Sequence, residues 1–217
     1  MLTVYGEGRG FRVVWLLEEL GMAYRLRPVD LLAGVEKDPD FLAINPGGFI
    51  PALQDGETVM VESIAILEYL LARHGASPLA VAADDPAFAS YLQFLHLGEA
   101  GLAGPMNAVF VGRALAPEAE RNARVTRWAL DTFESRLGLI IRRLADSPYL
   151  AGDRFTAADI SVSYALLLGL RTGNYTPGAV ERAYLGRTTA RPAYARAMES
   201  CQATKAWAAN APQLVAP

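Results

Sequence analysis

At 217 residues, 52% of them hydrophobic, the chain has apolar side chains enough for one large or two small cores. A formal net charge of −3 with no basic run excludes a nucleic-acid partner, because nothing stands ready to neutralise a row of phosphates. Cys201 is the only cysteine, which excludes an internal disulfide and fits a reducing compartment; it reads as a small packed side chain.

Leu2-Thr3-Val4-Tyr5 reads as a strand stopped by Gly6. Val13, Leu16, Leu17 and Leu20 then recur at helical spacing, and Gly21 follows as a C-terminal stop. A strand followed by an amphipathic helix carrying Glu18 and Glu19 is not a signal peptide, and no charge-free stretch reaches the length of a membrane span. A cytoplasmic protein without membrane association is expected. Tyr24 to Val29 reads as a second strand, and Asp38 to Ile44 as a loop or short helix. Ala52-Leu53-Gln54, an Asp55-Gly56 turn and Thr58-Val59-Met60-Val61 form a hairpin. Ile64, Leu67 and Leu71 supply the next helix, which Gly75 closes with His74 near its terminus. The order βαβ, then ββα, is thioredoxin-like.

Ala76 to Pro86, rich in Pro and Asp, reads as a linker, and the rest as helix. Phe88, Leu92, Leu95, Glu99, Leu102, Met106 and Val109 follow one helical face, with a kink expected at Pro105. Gly98, Gly101 and Gly104 make a smooth strip for close helix approach, within one subunit or between two. Pro117 starts another helix that turns Leu130, Phe133, Leu137, Ile140 and Leu144 inward. Thr156 and Asp159 form a capping box, with Phe155 and Ile160 as its hydrophobic staple. The expected class is α+β: a thioredoxin-like βαβ-ββα domain over 1–76, a linker over 77–85 and an all-α helical bundle domain over 86–217.

The segment Asn45-Pro46-Gly47-Gly48-Phe49-Ile50-Pro51-Ala52-Leu53, followed within a dozen residues by Glu62-Ser63, resembles the glutathione-binding core of the glutathione transferase superfamily. Ala151-Gly152-Asp153 before the capping box, and Ala190-Arg191-Pro192-Ala193-Tyr194, are similar to that family's helical-domain motifs. The resemblance implies that Ile50, ahead of a cis Pro51, offers its main chain to the cysteinyl part of glutathione. A cis peptide is accessible essentially only before proline. Glu62 and Ser63 would meet the γ-glutamyl group, where a helix N-terminus favours a carboxylate and Glu62 an ammonium. Phe49 stands where many relatives carry Lys or Gln for the glycyl end; Lys37 or Arg12 could serve instead, or the aromatic ring could stack on the ligand.

The glutathione thiol has a pKa near ~8.5, so only a few per cent is thiolate at neutral pH. Relatives lower it with a Tyr at the end of the first strand, or a Ser or Cys in the loop that follows. Gly6-Glu7-Gly8-Arg9-Gly10 contains no Ser, Thr or Cys. Tyr5-x-x-x-Arg9-Gly10 is similar to the Tyr-x-x-x-Arg-Gly step of tyrosine-type transferases, which implies Tyr5 and Arg9 as catalytic groups. The loop amides could also hold a thiolate, whereas Glu7 would raise its pKa.

A second-substrate pocket between the domains, lined by Phe11, Met106, Asn107 and Phe110, is expected for a hydrophobic electrophile. His96 and Glu99 alone do not make a metal site, and no metal is expected. The family resemblance also implies a homodimer. Two other functions stay open: glutathione-dependent reduction or ether cleavage, and a non-catalytic glutathione-binding protein. Turnover with an electrophile separates these from conjugation.

Overall fold

The computed structural model describes residues 1–31, 33–74, 76–121 and 123–209. Contacts divide the chain into two compact units, one built from Met1–Ser77 with Ala190–Trp207, the other on Pro78–Thr189. The first break falls at the Pro- and Asp-rich stretch read as a linker. Residues 190–207 join the first unit, although they were expected to stay with the helical bundle.

The first unit is built on a four-stranded sheet: β1 (Leu2–Tyr5), β2 (Tyr24–Arg27), β3 (Ala52–Asp55) and β4 (Thr58–Val61), in the order β2-β1-β3-β4. β1 and β2 are parallel and joined through α1 (Gly10–Leu20), while β3 is antiparallel to both β1 and β4. This is the expected βαβ-ββα arrangement. Alternation along β1 sends Val4 and Tyr5 to opposite faces. Val4 lies under the start of α1, where a Cβ on Gly10 would come within 3.7 Å of it. Tyr5 packs with Ala52 and with Phe41 of α2 (Pro39–Ile44). Asp38 caps α2 through the Phe41 amide at 3.0 Å and accepts both terminal nitrogens of Arg27 at 2.9 and 2.7 Å.

β2 ends at Arg27 rather than Val29. The hairpin turn is Gly56-Glu57, one residue later than expected, because Asp55 still pairs with Thr58 and Gly56 takes the left-handed φ of 59°. Gly21 closes α1 as expected, at φ 63°. The helix after the hairpin, α3, runs Ser63–Arg73. Gly75, expected as its stop, lies outside the described residues.

The C-terminal helix expected around Pro192 completes the core of this unit. Helices α4 to α8 belong to the second unit; this one, Pro192–Ser200, is α9, followed by α10 (Gln202–Ala209). Tyr194 meets the rings of Trp15 and Phe11 at centroid distances of 4.9 and 5.6 Å. Arg191 grips Glu19 at 2.6 and 2.7 Å, and Arg196 reaches Glu18 at 2.7 Å. Cys201 is fully buried, as expected of a packed side chain.

The second unit is helical. One long rod comprises α4 (Phe88–His96), a π-helical stretch (Leu97–Ala103), α5 (Gly104–Phe110) and a second π-helical stretch (Val111–Leu115). The first irregular stretch stands just ahead of Pro105. Proline has no N–H to donate and its ring collides with the carbonyl four residues back, so the helix widens there. The rod packs on α6 (Arg124–Asp146) and on α7 (Ala157–Arg171), every residue of which is buried; α8 (Ala179–Thr189) covers α7. Pro117 leads only into a single 3-10 turn, Glu118–Glu120, and α6 begins later, at Arg124. Leu130 is half-buried, while Phe133, Leu137, Ile140 and Leu144 face inward. The glycine strip is used inside this unit, since a Cβ on Gly98 would lie 2.2 Å from the Ser161 hydroxyl on α7. The capping box Thr156–Asp159 forms as expected.

Candidate functional site

The glycine-rich loop after β1 rests on the segment around Pro51. A Cβ on Gly6 would fall 2.3 Å from Ile50 Cγ2, and Gly6 has φ 81°, so both space and backbone demand glycine there. A Cβ on Gly10 would lie 3.2 Å from Pro51. The Ile50–Pro51 bond is cis. Asn45 braces the approach to it: its side chain accepts the Gly47 amide at 3.0 Å and donates to the Phe49 carbonyl at 2.7 Å. Phe49 itself is 40% exposed.

Behind this edge, β4 gives way to α3 through Glu62, which takes φ 70° and ψ 106°, a conformation that L side chains adopt only under local constraint. The turn exposes the Glu62 carboxylate and places Ser63 at the first position of α3. Ser63 is buried and accepts a hydrogen bond of 3.0 Å from the guanidinium of the fully buried Arg12. Because the hydroxyl oxygen is used as an acceptor, its proton is available to a carboxylate. The Arg12 charge adds to the positive end of α3. Ile50, Pro51, Ser63, Arg12 and the Gly6–Gly10 loop therefore form one continuous edge of the first unit.

Tyr5 departs from its expected place. Its side chain lies on the sheet face that carries α2, not on the face of α1, and its hydroxyl donates to Gln54 at 2.8 Å. Gln54 pairs with Thr3, so the phenol points back along the strand, away from the loop. The cause is the period of two: Val4 takes the α1 side and Tyr5 must take the other. Arg9 is half-buried at the N-cap of α1. Lys37 is exposed and gives its ammonium to the Ala33 carbonyl at 2.6 Å.

Two residues expected in a second-substrate pocket are core instead. Phe11 is fully buried in the first unit against Trp15 and Tyr194. Met106 is fully buried in the second unit beside Gly169 of α7. Both belong to the apolar faces that hold their helices down. Asn107 is exposed and Phe110 half-buried, both in the second unit. Among the described residues no three His, Cys, Asp or Glu side chains gather closely enough to hold a metal ion. His74 lies 3.9 Å from Asp55, which also accepts the Tyr69 hydroxyl at 2.9 Å.

Three contacts at the site escaped sequence reasoning. The Asn45 brace had a local signal, an Asn two residues ahead of a glycine. The Arg12–Ser63 bond spans 51 positions. Glu7 is the third: its carboxylate accepts the amides of Ala203 and Thr204 at 3.2 and 2.7 Å, across nearly the whole chain. Neither long-range pairing has a signal in local spacing.

Residues 1–72 match the family model of the glutathione S-transferase N-terminal domain. Glutathione S-transferase 3 of Zea mays is 35% identical over 198 residues, covering 84% of this chain and 85% of its own. Glutathione S-transferase GstB of Escherichia coli K12 is 28% identical over 200 residues, covering 89% and 95%. The theta class glutathione S-transferase of Xanthomonas axonopodis pv. citri, solved with glutathione bound, is 30% identical with a TM-score of 0.77, covering 90% of this chain and 96% of its own. With such similarity along most of its length, and the family model seated on the unit that carries the cis-proline edge, the chain belongs to the glutathione S-transferase family.

Proposed function

We propose that this protein conjugates glutathione to a hydrophobic electrophile, with the tripeptide held along the edge from Phe49 to Ser63. The sulfur forms a bond to an electrophilic carbon, the leaving group departs with its electron pair, and the thiol proton goes to solvent. The observation that carries the reading is the juxtaposition of the cis Ile50–Pro51 bond, the glycine loop lying on it and the Arg12-backed Ser63. Ile50 offers main-chain hydrogen bonds to the cysteinyl part. Glu62 takes the γ-glutamyl ammonium, Ser63 takes its carboxylate, and Phe49 covers the glycyl end by stacking.

Lowering the thiol pKa by one unit requires about 1.4 kcal/mol of preferential thiolate stabilisation. We assign that to Arg9, the loop amides and the N-terminal end of α1, and not to Tyr5, whose hydroxyl is held by Gln54. The protein works in the cytoplasm as a homodimer. Among the described residues no helix is long and apolar enough to cross a membrane. Sedimentation at micromolar protein tests the dimer, and a lone 23.4 kDa species would overturn it.

Calorimetry with glutathione tests the site. Glu62→Ala should weaken binding by roughly 1.5–3 kcal/mol, the range for charge-assisted hydrogen bonds. Unchanged affinity would remove the assignment. The loop's lack of a hydroxyl or thiol favours a second reading, glutathione-dependent reduction or binding without turnover. A wild-type protein that binds glutathione yet turns over no activated aromatic halide would establish it over conjugation.

A further inference from the structure

Glu7 lies in the middle of the loop that the proposed reaction sets beside the sulfur. A carboxylate there works against a thiolate, and glycines on both sides leave the loop backbone little intrinsic stiffness. The contact with the C-terminal segment answers both problems. Glu7 Oε2 accepts the Thr204 amide at 2.7 Å and Oε1 accepts the Ala203 amide at 3.2 Å. Both amides belong to the first turn of α10, where N–H groups lack partners within the helix and the dipole is positive. The anchoring end is itself fixed, because α9 is clamped to α1 through Arg191–Glu19 and by the packing of Tyr194 on Trp15.

We propose that Glu7 is a positioning residue for the thiolate. Its bond to α10 holds the Gly6–Gly10 loop in place on Ile50 and draws the carboxylate's field away from the sulfur. The C-terminal segment is on this account a working part of the thiol site. The link to turnover rests on the conjugation reading above; the link to loop order does not.

Hydrogen exchange on the full chain, without glutathione, reads the contact itself. In Glu7→Ala the amides of Ala203 and Thr204 and those of the loop should exchange about tenfold faster, as expected for loss of a helix cap. Glu7→Gln keeps an acceptor oxygen and should retain most of the protection. In turnover of an activated aromatic halide, Glu7→Ala should lower kcat about tenfold while KM for glutathione stays within about twofold, and Glu7→Gln should recover most of the rate. Arg196→Ala, which removes the exposed pair with Glu18, loosens the same segment elsewhere and should leave turnover unchanged. Unaltered exchange in Glu7→Ala would overturn the contact. Faster exchange with wild-type kcat, or an equal loss of rate in Arg196→Ala, would overturn the positioning role. A wild-type protein without turnover would overturn the conjugation reading and the role together, and is told apart because there the parent fails, not the variant.

Discussion

Arg12 donates from its guanidinium to the hydroxyl of Ser63 at 3.0 Å, joining the first turn of α1 to the first residue of α3. Arg12 is fully buried, so this bond helps to satisfy a charge that has left water. It also gives Ser63 a part in stability, besides its proposed contact with glutathione. Ser63→Ala should lower unfolding free energy by roughly 1.5–3 kcal/mol, as for loss of a hydrogen bond to a charged group, together with glutathione affinity. Denaturant titration and calorimetry on the same sample check both; affinity falling with stability untouched would mean that Arg12 does not depend on the hydroxyl. Arg12→Lys should not restore the site, since an ammonium lacks the planar fork that reaches Ser63.

Tyr5 gives a contrasting case. Its hydroxyl bond to Gln54 is a packing interaction on the α2 face. Tyr5→Phe should cost about 0.5–1.5 kcal/mol of stability and leave the pH–rate profile unchanged. A rise in the apparent thiol pKa of the variant would put the phenol beside the sulfur after all.

The capping box supplies a pH test of stability. Asp159 is buried and accepts from the Leu150 amide at 3.0 Å, the Thr156 amide at 2.8 Å and the Tyr184 hydroxyl at 3.1 Å. Burial outweighs these bonds and pushes its pKa up from 3.8 to about 6. The folded chain therefore holds the proton more tightly than the unfolded one. The resulting stability is fully present below about pH 4 and is lost as pH rises through about 6. The stability difference between wild type and Asp159→Asn should fall by roughly 2–3 kcal/mol between pH 4 and pH 7. A difference that is flat with pH, measured by denaturant unfolding, would contradict the assignment.

Two helical glycines should respond with opposite signs. In Gly98→Ala the new methyl would meet Ser161 at 2.2 Å from its hydroxyl and 2.7 Å from its backbone carbon. The cost of such overpacking is about 1–3 kcal/mol. Gly138 on α6 has nothing within 4 Å of a would-be Cβ, so Gly138→Ala should stabilise by about 0.5–1 kcal/mol through helix propensity. Thermal unfolding of the two variants, run side by side, reads the sign directly.

The amino-acid sequence by itself determined the elements whose causes are local. The alternation Leu2–Tyr5, the helical spacing from Val13 to Leu20 with Gly21 after it, the box at Thr156–Asp159 and the Ile50-Pro51 and Glu62-Ser63 motifs all lie within a few residues of what they specify. The hairpin turn slipped by one residue because Gly56 satisfies either frame, and only the pairing of Asp55 with Thr58 chooses between them. Tertiary structure alone decided which face Tyr5 takes, since alternation gives two faces but not which of them receives α1. It decided that Phe11 and Met106 are core, because an apolar side chain at helical spacing reads alike whether a wall or a ligand covers it. It also decided the pairing of Arg12 with Ser63 and of Glu7 with the start of α10. Those bonds join groups 51 and 197 positions apart, and no spacing rule spans such distances; only the packing of one element on another brings the partners within reach.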